Sequence, residues 1–594
     1  MSAVSASPAS KSSASSIHVY ALLSAVVLVP LGVCPDHLVW FDITPKVTAL
    51  ILMVGLACIT IPSSLLDRAT ERKCATTLIP VAMIAAAVLS ATFSRTPFLS
   101  LGGSNWRRVG LPTEVSLAVF LVLQTASLRN RPRYSIWCVR ASCVALLISS
   151  IAVIFDFGGV APFFGLLESS NAARPGGVLG SGAAFGCYAT APLFLCVTLW
   201  LLDGAWLWRR LAIIAGILGF VAILLCGTRA AVLAVFIGLL IAIALLRRRS
   251  TRLLVGFCLA LAAAAIGVAF SGHTLLSKRI EQIEQDPWGG TRLYVWADSM
   301  GLLSTMPTFG YGLESFPRVY AKIESERTIS RWPYTSHESA HNYLLDTLLS
   351  KGVLGLAVVL AFSASAFFTF NRLPGRSKPP YAFCLAGHMA CLTSCMFFTP
   401  QLSTLLYLHL PVCLMWAAHV DHSRTLNTTG EKLGTGSPLR WVRASQAILL
   451  RGLGVVLVVY ATCLFIWDSD VYKTKLLFDS GKIAEAVKAF ARAREIAPPR
   501  VTAEAWFSRE LINNCDPTTG QSLNALLYQS LRVSIEHEEE FGNSYILLAA
   551  TMIRDGRSRE AELVLRRAVL DFPNWPLPKT MLTILESKAD GAGD

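Results

Sequence analysis

His337, Glu338 and His341 stand close together in Ser336-His-Glu-Ser-Ala-His-Asn-Tyr-Leu-Leu-Asp-Thr-Leu-Leu-Ser-Lys-Gly-Val-Leu-Gly355, a stretch that leaves a polar loop and enters an apolar run. Ionisable groups at such a boundary must be solvated, paired or used. An imidazole or carboxylate placed there can take a proton from a hydroxyl. Arginines recur in other loops: Arg95, Arg107, Arg108, Arg174 and Arg229, with Arg292 in the long loop before His337. A guanidinium is planar, permanently charged and suited to bidentate contact with phosphate. Arg229 opens an apolar run, where a helix dipole disfavours a cation. A role in holding an anion accounts for that placement better than anchoring in lipid does.

The elements that position these groups are membrane spans. The chain has 594 residues, 54% hydrophobic and 15% charged, with a mean hydropathy of +0.53. That composition belongs to a polytopic membrane protein. The net charge of +14 is no sign of nucleic-acid binding, because the basic residues cluster in short loops between apolar runs. A spanning helix needs roughly 20 apolar residues. Such runs lie at 17–33, 46–66, 75–93, 112–128, 135–155, 183–203, 209–226, 229–246, 252–270, 344–371, 380–398, 401–419 and 445–467. The expected fold is all-α, a bundle of 12 to 13 transmembrane helices. Residues 1–16, rich in Ser and Ala, read as a disordered cytoplasmic terminus, and 17–33 as a first span without the basic flank of a signal peptide. The 15 cysteines show no metal-ligand spacing, and those inside spans read as small buried hydrophobes.

Charge sets the orientation. Basic residues fill every second loop: Arg68 with Arg72 and Lys73; Arg129, Arg131 and Arg133; Arg209 and Arg210; Arg247 to Arg249; Arg372, Arg376 and Lys378; and the 421–444 linker with Arg424, Lys432, Arg440 and Arg443. Those loops are expected in the cytoplasm. The other set, 94–111, 156–182, 226–229 and 271–343, then faces outward and holds the residues with chemistry. Within the last, 291–304 reads as an amphipathic helix lying on the membrane, with Leu293, Trp296 and Met300 at helical spacing.

Residues 468–594 form a separate, charged domain expected on the outer side. Gly481-Lys-Ile-Ala-Glu-Ala-Val-Lys-Ala-Phe-Ala-Arg-Ala-Arg-Glu-Ile-Ala-Pro498 and Gly556-Arg-Ser-Arg-Glu-Ala-Glu-Leu-Val-Leu-Arg-Arg-Ala-Val-Leu-Asp-Phe-Pro573 repeat one pattern. Both resemble the second helix of a tetratricopeptide (TPR) repeat. Such repeats bind peptides in a concave face, which suggests a protein partner for the tail.

Taken in order, the motifs resemble the O-antigen ligase/O-antigen polymerase superfamily of bacterial lipid-linked glycan transferases, which includes O-oligosaccharyltransferases. Its outer-loop signature is His, then Asn, Ser or Gln, nine residues, Gly, two residues, and Gly, Thr or Tyr. Here His341-Asn342 and Gly352-Val-Leu-Gly355 match it in full. Arg174-Pro-Gly-Gly-Val-Leu-Gly-Ser-Gly182 is similar to the family's Arg-x-x-Gly-Thr-x-Gly-Asn segment, with Val178 and Ser181 as departures. Gly227-Thr-Arg-Ala230 resembles its Ser-Arg-Gly helix start. Arg292 through Trp296 to Gly310-Tyr-Gly312 resembles its Arg-x-x-x-Trp…Pro-x-x-Gly-x-Gly segment. The likeness covers roughly residues 90–420, the core domain being 17–420.

The resemblance implies a GT-C glycosyltransferase of the bacterial inner membrane. It would move a glycan from an undecaprenyl-diphosphate carrier to an acceptor glycan, lipid or protein on the outer side, without a metal or other cofactor. Arg174, Arg229 and Arg292 would hold the diphosphate, assisted by Arg107 or Arg108. His341 would be the general base, or a diphosphate ligand if protonated, with Glu338 as the second candidate base and His337 a bystander. Within the class, a ligase, a polymerase and a protein O-oligosaccharyltransferase fit alike. An exporter of lipid-linked glycan is the non-enzyme alternative. It would show internal repeat symmetry, which the two halves of the chain lack.

Overall fold

A computed structural model describes residues 17–62, 65, 75–129, 131–160, 174–246, 290, 292–332, 337–375, 377–426, 438–514, 521–537 and 541–590. The run expected as a span at 252–270 and the terminus 1–16 lie outside them. Among the described residues every regular element is helical. The core runs α1 (Ile17–Leu31), α2 (Thr44–Thr60), α3 (Ala75–Thr92), α4 (Leu111–Leu128), α5 (Pro132–Phe157), α6 (Gly182–Leu202), α7 (Trp206–Leu225) and α8 (Arg229–Leu245). It continues with α9 (Arg292–Leu303), α10 (Tyr343–Arg372), α11 (Lys378–Cys395), α12 (Leu402–Leu426) and α13 (Pro438–Asp479).

Seven of these are long and apolar enough to cross a membrane, namely α4, α5, α6, α7, α10, α12 and α13, while α1, α2, α3 and α8 are shorter and apolar. The chain is a polytopic helical membrane protein. Twelve of the thirteen apolar runs are helices, because in lipid only a helix satisfies its own backbone. At the centre, α6 packs against α5, α7, α8, α11 and α12. Lipid supplies no hydrophobic drive between helices, so close backbone approach matters. A Cβ on Gly55 of α2 would meet the Gly454 carbonyl of α13 at 2.8 Å.

Helix α13 has 42 residues, about 63 Å at 1.5 Å per residue. The run expected to end at 467 therefore continues unbroken to Asp479, and a helix joins core to tail where the sequence suggested a boundary. The helix is clamped in its C-terminal half. Trp467 stacks on Trp40 with ring centroids 5.2 Å apart, and Asp468 Oδ1 accepts from the Val39 amide at 2.9 Å. The tail adds α14 (Ile483–Ile496), α15 (Glu504–Asn514), α16 (Gln521–Glu536), α17 (Phe541–Arg554), α18 (Ser558–Asp571) and α19 (Pro576–Asp590). Successive helices from α15 onward pack on one another. The two patterned helices bury their small and apolar stripes, Ala486, Ala489, Phe490 and Ala493 in α14, and Ala561, Leu565 and Ala568 in α18.

In α9, Leu293 and Met300 of the apolar face expected to lie on the membrane are exposed, while Val295, Ser299 and Leu302 are buried against the protein. Asp298, beside the buried set, accepts from the hydroxyls of Tyr320, Ser325 and Thr328 at 2.8–3.0 Å.

Candidate functional site

Asn342 starts α10: its side-chain oxygen accepts from the amides of Leu344 and Leu345, both at 3.1 Å. This N-cap fixes the chain direction just after His341. The turn before it is held from three sides. Trp296 Nε1 donates to the Ala340 carbonyl at 2.7 Å, Asp346 Oδ1 accepts from the Ala340 amide at 2.7 Å, and the His341 amide donates to Ser339 Oγ at 3.2 Å. His341 takes a left-handed φ of 52°, a conformation that persists only where surroundings impose it. Its ring lies over Phe398, and Nδ1 is 3.1 Å from Thr399 Oγ1, which also bonds Ser339 Oγ. With Nδ1–H donating to Thr399, Nε2 keeps a lone pair free to accept a proton.

The glycines of two motifs form a joint beside this turn. Gly352 has φ 66° and kinks α10. Carbonyls near the kink are taken up from outside the helix: Leu349 by the Tyr311 amide at 2.8 Å, and Ser350 by the Gly312 amide at 3.1 Å and Ser90 Oγ at 2.7 Å. Gly310, φ 76°, would place a Cβ 2.4 Å from the Ser350 carbonyl oxygen, and one on Gly352 would meet the Thr308 oxygen at 2.2 Å. Gly312 makes room for Ser94 and Ser100, and Gly355 for the Lys351 side chain, whose Nζ reaches Glu114 at 2.5 Å. Gly352→Ala is expected to combine a clash with a strained φ, a cost of roughly 1–3 kcal/mol or more. The check is a lower melting temperature and a smaller folded fraction in detergent than for Val353→Ala, whose side chain is exposed.

The arginines divide into two groups. Arg174 donates to the Cys226 carbonyl at 3.3 Å and to Thr228 Oγ1 at 3.1 Å. Thr228 is the N-cap residue of α8 and Arg229 its first residue, so the 174 and 229 segments meet. Arg174 and Arg292 both lie within electrostatic range of Cys187, and Arg292 and Arg107 within range of His341. Arg107 also faces Glu314 at 3.5 Å. These four share one end of the bundle with His341. Arg108 does not join them. It is buried, with its guanidinium 4.7 Å from the Trp467 ring centroid and 5.3 Å from that of Trp40, and donates to Asn105 at 2.7 Å. It belongs to the clamp on α13, because adjacent residues in this turn point opposite ways.

Electrostatics follow the geometry. Burial first, then the charge of Arg292 and the proximity of His337 and Arg107, push the His341 pKa down to about 4. The imidazole is therefore neutral at neutral pH, the state that accepts a proton. Glu338 is exposed to the cavities it lines, yet sits deep in a recess, and desolvation raises its pKa against the pull of Arg107. His337 is buried, with Nε2 3.4 Å from Glu324 Oε1. Among the described residues no three His, Cys, Asp or Glu side chains form a metal-holding group.

Sequence reasoning missed Thr399 and Phe398, the partners of His341, and Asp156, whose carboxylate accepts from the Gly176 and Gly177 amides at 2.9 and 3.1 Å and shapes the 174–182 turn. Thr399 carried one weak signal, a polar residue in the short connection between two apolar runs. Residues 188–360 match the family model described as O-antigen ligase. The matched segment carries Arg229, Arg292, Trp296, Glu338, His341, Asn342 and all four signature glycines, and leaves Arg107, Arg108, Arg174 and the tail outside. No curated protein matches the chain.

Proposed function

We propose that this chain, whose residues 188–360 match the O-antigen ligase family model, moves a glycan from undecaprenyl diphosphate to an acceptor hydroxyl. The reaction takes place on the outer side of a bacterial inner membrane. The N-terminus is cytoplasmic and the TPR-like tail stands in the periplasm. The acceptor oxygen attacks the anomeric carbon, the bond from that carbon to the diphosphate breaks, and undecaprenyl diphosphate leaves. Arg174, Arg229 and Arg292, with Arg107, offset the charge that develops on the leaving group, the role a metal plays elsewhere. His341 takes the acceptor's proton at Nε2, with Glu338 as the second candidate base.

The observation that carries this reading is the placement of Arg292, the first residue of α9, within electrostatic reach of His341, whose pKa is lowered by burial first and by the field of Arg292 next. A bound diphosphate would cancel that field and raise the proton affinity of His341 only when donor is in place. A ligase is the form we favour, since tail residues Arg509 and Asn543 line the same cavity as the candidate base Glu338. Deleting the gene and profiling glycans tests it. Long chains should accumulate on the carrier. Loss of long chains would indicate a polymerase, loss of glycoprotein alone a protein O-oligosaccharyltransferase, and an unchanged profile would contradict glycan transfer.

A further inference from the structure

The tail is docked on the core at two places. On one side Asn105 Nδ2 donates to the Thr502 carbonyl at 2.9 Å, and Phe98 stacks on His537 at 3.9 Å under the Arg500 guanidinium. On the other, Trp575 Nε1 and Asn574 Nδ2 donate to the side chain and backbone of Glu324 at 3.1 and 2.7 Å, and Arg318 faces Asp571 at 3.8 Å. Between the two contacts the surfaces do not meet. They enclose a chamber of about 420 Å³, within the roughly 300–1,000 Å³ of small-molecule sites.

Its floor includes His337 and Glu338, and its far wall includes Arg509 and Asn543 of the tail. Trp106 lines it and is 53% exposed. The lining carries Arg318, Arg500 and Arg509 against Glu314, Glu324 and Glu338, so charge does not favour an anion. An apolar chain would strand these polar groups without water. A neutral ligand with one flat carbon face and many hydroxyls satisfies both features: the ring stacks on Trp106, and the hydroxyls bond Asn543, Arg509 and Glu338. None of Arg174, Arg229 and Arg292 lines the chamber, whereas the candidate base Glu338 does.

We propose that this chamber binds the sugar end of the acceptor, with the C-terminal helices forming half of the acceptor site. The proposal rests on the glycan-transfer reading for the identity of the ligand. It assigns the tail a direct part in substrate binding, separate from any protein partner.

The test uses the full-length protein in its native membranes, with Asn543→p-benzoylphenylalanine as a photo-crosslinker. Irradiation is expected to give an adduct that periodate oxidises and hydrazide then labels. Adding Trp106→Ala should lower its yield at least fivefold. The same crosslinker at Leu563, exposed elsewhere on the tail, should give no sugar adduct. A protein or lipid adduct alone, no adduct, an equal yield from Leu563, or indifference to Trp106→Ala would each overturn the chamber. His341→Ala separates this from the reaction. The adduct should persist in that variant while transfer is lost; an adduct together with undiminished transfer would support the chamber and overturn the assigned chemistry.

Discussion

Arg292→Ala and Arg229→Ala are each expected to lower glycan transfer by about a hundredfold or more, the scale seen when a fixed charge-stabilising donor is removed from a reaction centre. Both side chains are half-buried at the first residue of a helix, in α9 and α8, so their loss leaves the bundle intact. The check pairs transfer in membranes with size-exclusion profiles in detergent. Lysine at either position should restore part of the rate, because it returns the charge without the planar fork. Arg108→Ala should behave in the opposite way. It removes a buried cation packed against the stacked Trp40 and Trp467 rings, so the amount of folded protein falls more than the rate per folded molecule. Full transfer by both Arg292→Ala and Arg229→Ala would remove the diphosphate site from the account.

The second large effect concerns His341. His341→Gln, which keeps a polar side chain but cannot accept the proton, should lower kcat by about 10²–10⁴, the usual worth of a general base. The pH profile carries more information. With its pKa pushed down to about 4, His341 stays neutral across neutral pH, so transfer should be flat there and fall only as the pH drops toward that value. In Arg292→Ala the pKa should rise only part of the way toward 6.5, because burial is the larger cause of its depression, and the acid limb of any residual activity should move upward with it. Stability shares the sign. The unfolded chain takes a proton near 6.5 and the folded chain only near 4, so the His341 contribution is present above 6.5 and is lost as pH falls between the two values. A profile with no acid limb above pH 4 in Arg292→Ala would show that the arginine does not control the imidazole.

The spans were legible in sequence because each is a long apolar run, a local property that the membrane enforces. The meeting of Arg174, Arg229, Arg292 and His341 at one end was legible for the same reason: charge alternation puts their loops on one side. What stayed hidden depends on long-range packing. Nothing in Arg107-Arg108 says which guanidinium faces Glu314 and which enters an aromatic clamp built by residues 40 and 467. The signature glycines were visible as a pattern, but their purpose was not. Gly310 and Gly352 lie in separate motifs, and only their backbone contact shows that one kinks the helix and the other passes through the kink. Thr399 was hidden because the partner of a histidine at the start of one span comes from the connection between the next two.

Purified protein in liposomes offers the sharpest check. Given a labelled undecaprenyl-diphosphate-linked glycan and an acceptor fraction from the deletion strain, the wild-type chain should free undecaprenyl diphosphate in step with glycan appearing on acceptor, and Arg292→Ala should free almost none. Release by Arg292→Ala at the wild-type rate, or no release by the folded wild-type protein, would contradict a glycan transferase whose leaving group is held by arginine.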